Sequence, residues 1–117
     1  MTDINKMGFH DAVITSITKT GLNIVFEIEA VQYQGEKRTY NGILHFAELK
    51  SIKQNGQLVP EIIMLSSDAG ILDLTVNNSS ITISVIWYDY KEKKETYAEY
   101  ELIASKIYWQ ETGIFEE

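Results

Sequence analysis

The sequence predicts an all-β domain whose antiparallel strands form a sandwich or a partly open barrel. Three observations lead to this prediction: apolar residues that alternate with polar ones, turn-forming pairs at matching places, and an internal repeat of about 57 residues. With 117 residues, 44% of them apolar, the chain has the size of one globular domain that can bury its own core. We therefore expect a single domain over residues 1–117.

The repeat appears when the chain is shifted by 57 residues and laid on itself without gaps. Residues 7–56 then match residues 64–113 at twelve of fifty positions, where ordinary composition gives roughly three matches by chance. The matches include Asp11 on Asp68, Ile24 on Ile81 and Tyr40 on Tyr97. We predict a duplication in which two three-stranded copies are related by a pseudo-two-fold axis.

The second strand of each copy shows the clearest alternation. In the second copy, β-branched and aromatic residues recur at every other position, which is typical of a half-buried strand: Ile81, Ile83, Val85 and Trp87. The turn pairs Thr20-Gly21 and Asn77-Asn78 precede the second strands at equivalent places. Between the copies, Pro60 suits the first turn of a short helix over residues 61–65.

Two-residue turns at Gly35-Glu36 and at Glu92-Lys93 predict the pairing of the third strands. In the second copy this register places Trp87 opposite Ala98 on the inner face and Tyr88 opposite Tyr97 on the outer face. In the first copy it places Phe26 opposite His45, so His45 is expected in the core. Bulges near Ala47 and Ala104 are expected to bend these strands.

Charge and composition exclude several classes of function. Residues 1–57 carry six basic and six acidic side chains, whereas residues 58–117 carry four lysines and eleven acidic residues, which gives the net charge of −7. A protein that binds a phosphate backbone without sequence preference needs a positively charged surface, so we expect no nucleic-acid partner. The chain has no cysteine and no apolar run of about 20 residues, so we expect a cytoplasmic protein without membrane contact.

Two histidines are candidates for chemistry, but a structural role is the better interpretation of each. Neighbouring residues on a strand point to opposite faces, so His10 and Asp11 would make a poor base and carboxylate pair. Asp11 recurs as Asp68, which indicates a turn or backbone cap. His45 has Leu102 as its counterpart, as a core residue would. We predict no catalytic residue, cofactor or metal site, and expect the carboxylates of Glu27 and Glu29 to lie on a solvated face.

The most suggestive surface is the outer face of the hairpin in the second copy. Aromatic side chains are costly to leave in water and are favoured at the centres of interfaces. The residues predicted to share this face are Tyr88, Tyr90, Glu95, Tyr97, Glu99 and Glu101. They form a candidate protein-binding site, although cross-strand tyrosines on a solvated sheet need no partner.

Two parts of the chain resemble parts of several small bacterial β-rich families. The first is Phe9-His10-Asp11-Ala12-Val13-Ile14 with the hairpin that follows it, Ile17…Gly21-Leu22…Ile24…Phe26, and the second is Ile71-Leu72-Asp73-Leu74 with Ile81…Trp87-Tyr88-Asp89-Tyr90 and Ile107-Tyr108-Trp109. Many of these families have no assigned function, and some are identified as immunity proteins that neutralise a toxin of the same polymorphic system. The resemblance touches about half of the sequence and rests mainly on apolar alternation. It implies a small bacterial cytoplasmic protein that binds another protein, and it implies no catalytic residue.

Three functions follow as hypotheses. The leading one is a non-enzymatic domain, of the immunity-protein type, that blocks a basic partner with its acidic, tyrosine-rich sheet. The second is a carrier that holds an apolar ligand against Phe26, His45, Trp87 and Tyr100. The third is a self-assembling module that pairs the outer face of its sheet with a second copy, as a homodimer.

Overall fold

The computed structural model describes residues 4, 7–67 and 69–115, and these residues form β-strands without any α-helix. All strand pairs are antiparallel, so the predicted all-β class is confirmed. Within the described part of the chain, no helix is long and apolar enough to cross a membrane. The strands are β1 (Met7–Gly8), β2 (Val13–Thr20), β3 (Asn23–Tyr33), β4 (Thr39–Gln54), β5 (Gln57–Val59), β6 (Ala69–Asn77), β7 (Ser80–Asp89) and β8 (Lys94–Ile114).

The strands lie in a partly closed ring. Their order is β1-β3-β2-β6-β7-β8-β4-β5, and an additional pairing of β3 with β4 closes the circle. Among the pairings that form this circle, the shortest is between β2 and β6, where Val13 pairs with Gly70 and Ile14 with Ala69. The longest is between β4 and β8, whose pairing runs from Tyr40 to Gln54. The ring agrees with the partly open barrel expected from the sequence.

The segment between β5 and β6 is irregular. Residues 61–67 contain bends and no helix, so the short helix expected at 61–65 is wrong. One helical turn forms too few hydrogen bonds to be stable unless tertiary packing supports it. The segment contacts the core instead through Ile62, which is 7% exposed, and through Met64.

The core lies inside the ring and confirms the predicted inner face of β7 and β8. The aromatic centre of this face is Trp87, whose Nε1–H donates to the Tyr100 hydroxyl over 3.1 Å. Both side chains are 1% exposed, so this hydrogen bond satisfies the polar atoms that the two rings bring into the core. All the inward positions are buried, namely Ile81, Ile83, Val85, Trp87, Ala98, Tyr100, Leu102 and Ala104.

The pairing of β7 with β8 differs from the prediction by two residues. Val85 pairs with Ala98 and Ile83 with Tyr100, because the connecting loop has four residues rather than two. The Asp89 carboxylate accepts hydrogen bonds from the backbone amides of Lys91 and Glu92, each with a donor–acceptor distance of 3.0 Å, and these bonds shape the longer loop. Side chains alternate with a period of two, so this shift leaves every residue on its predicted face.

In the first copy, a bulge in β3 moves His45 out of the core, so the predicted burial of His45 is wrong. The register set by the turn holds where Val31 pairs with Tyr40. It shifts by one residue between Ile28 and Val31, where Ala30 has a φ of 64°. A shift of one residue exchanges the two faces of a strand. Phe26 therefore pairs with Leu44, and His45 points outward opposite Val25.

The turn predictions are partly confirmed. The hairpin of β2 and β3 turns at Gly21, with a φ of 60°, and that of β6 and β7 turns at Asn78, with a φ of 57°. The register of β4 with β8 shifts between Leu49 and Ser51, directly beside the pair of Leu49 with Ala104, which agrees with the bend expected near Ala47 and Ala104.

The two contacts between the halves of the ring are arranged symmetrically about residues that lie 57 apart. Val13 pairs with Gly70 at the centre of the contact between β2 and β6. The pairs Ala47 with Lys106 and Leu49 with Ala104 flank Glu48 and Ser105, which also lie 57 apart. Copies related by a two-fold axis would give such registers. The duplication itself stays a prediction, because successive three-stranded meanders also arise without one.

Candidate functional site

The candidate protein-binding residues lie on the outer face of β7 and β8, which we call the Tyr–Glu face. Cross-strand pairs place them side by side: Tyr88 pairs with Glu95, and Tyr97 pairs with Ile86. Glu99 and Glu101 follow on the same face of β8, and Tyr90 begins the loop that joins the strands. The Tyr–Glu face consists of Tyr88, Tyr90, Glu95, Tyr97, Glu99 and Glu101.

Most of this face is open to solvent. Tyr90 is 71% exposed and Tyr97 is 61% exposed, whereas Tyr88 is half-buried. Ile86 lies on the same face but is only 6% exposed. The exposed aromatic area is therefore concentrated on two tyrosines at the end of the hairpin, with a buried aliphatic residue beside them.

The tyrosines are held by contacts within the face. The Tyr88 and Tyr90 rings stack with their centroids 6.0 Å apart and an interplanar angle of 20°. The Tyr97 hydroxyl donates to a Glu95 carboxylate oxygen over 3.2 Å. This hydrogen bond, together with the Glu95 charge, raises the pKa of Tyr97, so its phenol stays protonated. Side chains oriented before binding lose less conformational entropy when a partner docks.

The Tyr–Glu face borders a small depression that the sequence analysis did not predict. Its volume is about 200 Å³, and it is lined by Lys53, Gly56, Glu99 and Glu101. The Asn55 amide donates to the Glu99 carbonyl over 2.8 Å, and the Glu99 amide donates to the Asn55 side-chain oxygen over 2.9 Å. These residues meet because the end of β4 pairs with β8, where Lys53 lies opposite Glu101. No local sequence signal predicts this long-range contact.

Charge is segregated along the hairpin. The strand positions of the face carry Glu95, Glu99 and Glu101, whereas the loop and its flanks carry exposed Lys91, Lys93 and Lys94 together with exposed Asp89 and Glu92. The acidic character expected for the whole hairpin therefore applies to its outer face, and its tip carries charges of both signs. A partner that docks flat on the strands would meet negative charge, and one that approaches the tip would meet a mixed surface.

Comparison with known protein families, curated proteins and solved structures found no match to this chain. The chemistry of the site must therefore be read from its own residues. Exposed aromatic rings beside carboxylates can bind a surface that offers basic and apolar side chains. The described residues contain no cluster of three or more His, Asp or Glu side chains that could hold a metal ion.

His10 and Asp11 are in contact, contrary to the expectation that they point apart. Asp11 has a φ of 70° and lies in a turn closed by the hydrogen bond from the Ala12 amide to the Phe9 carbonyl, over 2.9 Å. Strand alternation does not apply in a turn, and His10 Nε2 lies 3.6 Å from the Asp11 carboxylate. The turn interpretation therefore agrees with the structure at Asp11, whereas Asp68 lies outside the described residues.

His10 also contributes a hydrogen bond to the short contact between β2 and β6. Its Nδ1–H donates to the Leu72 carbonyl over 2.7 Å. The Asp11 amide donates to the Ile71 carbonyl over 2.9 Å, and the Ile71 amide donates to the Ala12 carbonyl over 2.8 Å. The Leu72 carbonyl, followed by the Asp11 charge, raises the pKa of His10. His10 is thus placed to hold the ring together.

His45 belongs to a separate cluster on the outer face of β4 and β8. Its ring stacks on Tyr108 with centroids 4.4 Å apart and an interplanar angle of 6°. Its Nε2–H donates to the Gln110 side-chain oxygen over 2.8 Å. The Lys106 ammonium lies 5.2 Å from the centroid of the Tyr108 ring. These partners satisfy His45 on a surface, and the core role expected from the sequence is not observed.

A surface groove lies on the outer face of β2, β3 and β4. Its volume is about 390 Å³, and polar side chains dominate its lining. Glu27 and Glu29, which the sequence analysis placed on a featureless solvated face, line this groove together with Thr15, Asn41 and Thr112. The bulges at Thr15 and Ala30 re-aim these strands and create the concavity.

The residues proposed to hold an apolar ligand do not share one surface. Phe26, Trp87 and Tyr100 are between 0% and 1% exposed within the core, and His45 lies outside it. The groove of about 390 Å³ and the depression beside Glu99 are lined by other residues.

Proposed function

We propose that this chain is a non-enzymatic protein-binding domain that docks a basic partner on the Tyr–Glu face. One observation carries the proposal: Tyr97 is 61% exposed on the same face as three glutamates, and the adjoining loop residue Tyr90, which stacks on Tyr88, is 71% exposed. Exposed apolar surface rimmed by polar residues marks interaction sites more often than chance placement does. The partner chemistry follows from the carboxylates, because opposite charge favours both encounter and register.

In the proposed mechanism, the glutamates and the tyrosines have different roles. Glu95, Glu99 and Glu101 attract the basic partner over distances of about a Debye length, roughly 8 Å in physiological salt. Tyr97 and Tyr90 then lose water against the partner and slow its release. The depression beside Glu99 and Glu101, of about 200 Å³, is large enough to accept one side chain of the partner.

The resemblance to immunity proteins suggests the class of partner. We propose that the chain inhibits a basic toxin by covering its working surface, so that inhibition is steric and consumes no substrate. The hypothesis of a carrier for apolar ligands receives less support, because its proposed lining is packed core. Pairing of the Tyr–Glu face with a second copy would bring glutamates against glutamates, which costs energy unless they interleave.

The test is a pull-down from the native organism followed by binding kinetics. Glu99→Lys with Glu101→Lys should slow association most at low salt, because steering is screened by ions. Tyr97→Ala should speed dissociation, since an interface aromatic can contribute about 2 kcal/mol or more. Surface positions such as these should change the free energy of unfolding by less than about 0.5 kcal/mol.

A matched control is available on the opposite side of the ring. Glu27→Lys with Glu29→Lys makes the same change in net charge, at the same spacing along a strand, outside the Tyr–Glu face. The control variant should bind the partner nearly as wild type does. If all three variants bind like wild type, the Tyr–Glu face is a solvated surface and the proposal is wrong. Capture of a small molecule instead of a protein would favour the carrier.

A further inference from the structure

The chain contains two Asn-Gly dipeptides in contrasting surroundings. Asn55-Gly56 forms the exposed two-residue turn between β4 and β5, with φ of 52° and 85°, as a type I′ turn requires. Asn41-Gly42 lies inside β4, where Gly42 pairs with Ile28 on one side and Glu111 on the other. We propose that Asn55 is a site of spontaneous covalent modification, the conversion of its side-chain amide to a carboxylate by water, and that Asn41 is protected.

The reaction needs only the backbone and water. The Gly56 nitrogen attacks the Asn55 side-chain carbon Cγ, a new C–N bond closes a five-membered imide, and the bond from Cγ to Nδ2 breaks. The Gly56 amide proton passes to solvent, and the leaving nitrogen takes a proton and departs as ammonia. Water then opens the imide at either carbonyl, which yields aspartate or isoaspartate. Gly56 has no Cβ to shield its nitrogen, and nothing lies within 4 Å of where a Cβ would be.

The rate at each dipeptide depends on how easily its backbone leaves the native conformation. The attack requires backbone angles that are found neither in the turn at Asn55 nor in the strand at Asn41. The Asn55 turn is closed by three residue pairs between β4 and the short edge strand β5. Asn41-Gly42 can open only if β4 separates from both β3 and β8, and a Cβ at Gly42 would already lie 2.3 Å from Trp109. Edge turns open at much lower free energy than central strands.

Conversion of Asn55 would alter the surface around Glu99. The Asn55 amide and side-chain oxygen now make both hydrogen bonds that hold the Glu99 backbone. Isoaspartate inserts a methylene into the main chain of a two-residue turn, so the turn geometry and these bonds cannot both persist. Either product also adds a negative charge beside Glu99 and Glu101, which already line the same depression. The site does not depend on the proposed function, although it adjoins the Tyr–Glu face.

The test is to age the folded full-length chain in mildly alkaline buffer and follow each asparagine by peptide mapping and mass spectrometry. We expect conversion at Asn55 at least about tenfold faster than at Asn41, which corresponds to a difference of about 1.4 kcal/mol in opening. Asn78-Ser79, in an equivalent hairpin turn with a bulkier second residue, should convert more slowly than Asn55. The variant Asn55→Gly keeps the left-handed turn and should show no conversion at this turn.

Two results would overturn the inference. Equal rates at Asn41 and Asn55 would show that local opening does not separate the two sites. No conversion at Asn55, while the unfolded chain converts there under the same conditions, would show that the native turn protects it. A second measurement tests the consequence: hydrogen exchange at the Glu99 amide should be faster in the isoaspartate form of the protein. Unchanged exchange in that form would contradict the coupling to Glu99.

Discussion

The substitution Gly42→Ala tests the bulge that separates the observed fold from the predicted one. The bulge at Ala30 turns Gly42 inward, where the Trp109 ring covers it. A Cβ at Gly42 would lie 2.3 Å from Trp109 Cζ2 and 2.5 Å from the Gln110 carbonyl oxygen. Real Cβ atoms do not approach other atoms so closely, so either the ring or the strand must move.

The cost can be worked out from what holds Trp109 in place. Its Nε1–H donates to the Tyr33 hydroxyl over 2.8 Å, and its ring meets Phe9 edge-on with centroids 5.7 Å apart. Forced overpacking typically costs about 1–3 kcal/mol, a lost hydrogen bond about 1 kcal/mol, and a weakened aromatic pair about 0.5–1.5 kcal/mol. Because these losses overlap, we expect Gly42→Ala to lower the free energy of unfolding by about 3 kcal/mol.

The assay is equilibrium unfolding in urea, followed by tryptophan fluorescence and far-ultraviolet circular dichroism. The midpoint should fall while the slope stays constant, which indicates a change in stability alone. Gly113→Ala is the control, because nothing lies within 4 Å of a Cβ there, and it should change stability by less than about 0.5 kcal/mol. If Gly42→Ala proves as stable as Gly113→Ala, then Gly42 does not face Trp109 and the described register is wrong.

Three further predictions concern hydrogen bonds and protonation. The folded-state pKa of His10 is raised above 6.5, so its stabilisation of the contact between β2 and β6 should be present below pH 6.5 and lost as the pH rises through the folded pKa. Protection of the Ile71 amide from hydrogen exchange should follow the same pH dependence, and His10→Asn should abolish that dependence. Trp87→Phe should lower the free energy of unfolding in urea by about 1–3 kcal/mol, because the buried Tyr100 hydroxyl loses its donor; adding Tyr100→Phe should recover part of the loss, and no recovery would contradict this cause. Burial, with the hydrogen bond to Glu111 and the charge of that carboxylate, raises the pKa of Tyr33 to about 12, whereas the hydrogen bond from Trp109 lowers it; in an ultraviolet titration, Tyr33→Phe should remove a tyrosine that titrates near pH 12, and stability should fall as the pH rises from 10 through 12.

Much of the fold could be predicted because side-chain alternation is a local signal. The inner positions of β7 and β8 follow from the period of two along each strand, and they remain correct although the loop between them has four residues. The outward placement of Tyr97 and Glu99 follows from the same alternation. The turns at Gly21 and Asn78 are likewise local, because these residues tolerate the left-handed backbone that a tight hairpin needs.

The sequence by itself determined the all-β class, the inner face of the second half and the residues of the Tyr–Glu face, because each depends on neighbours within a few positions. The tertiary structure decided the bulge at Ala30 that turned His45 outward, the approach of Asn55 to Glu99, and the contact of His10 with Leu72. The last two depend on residues that meet across 44 and 62 positions of the chain, and the first depends on how β3 pairs with β4. A bulge shifts register by one residue and leaves no mark in the alternation on either side, so only the paired partner strand reveals where it lies.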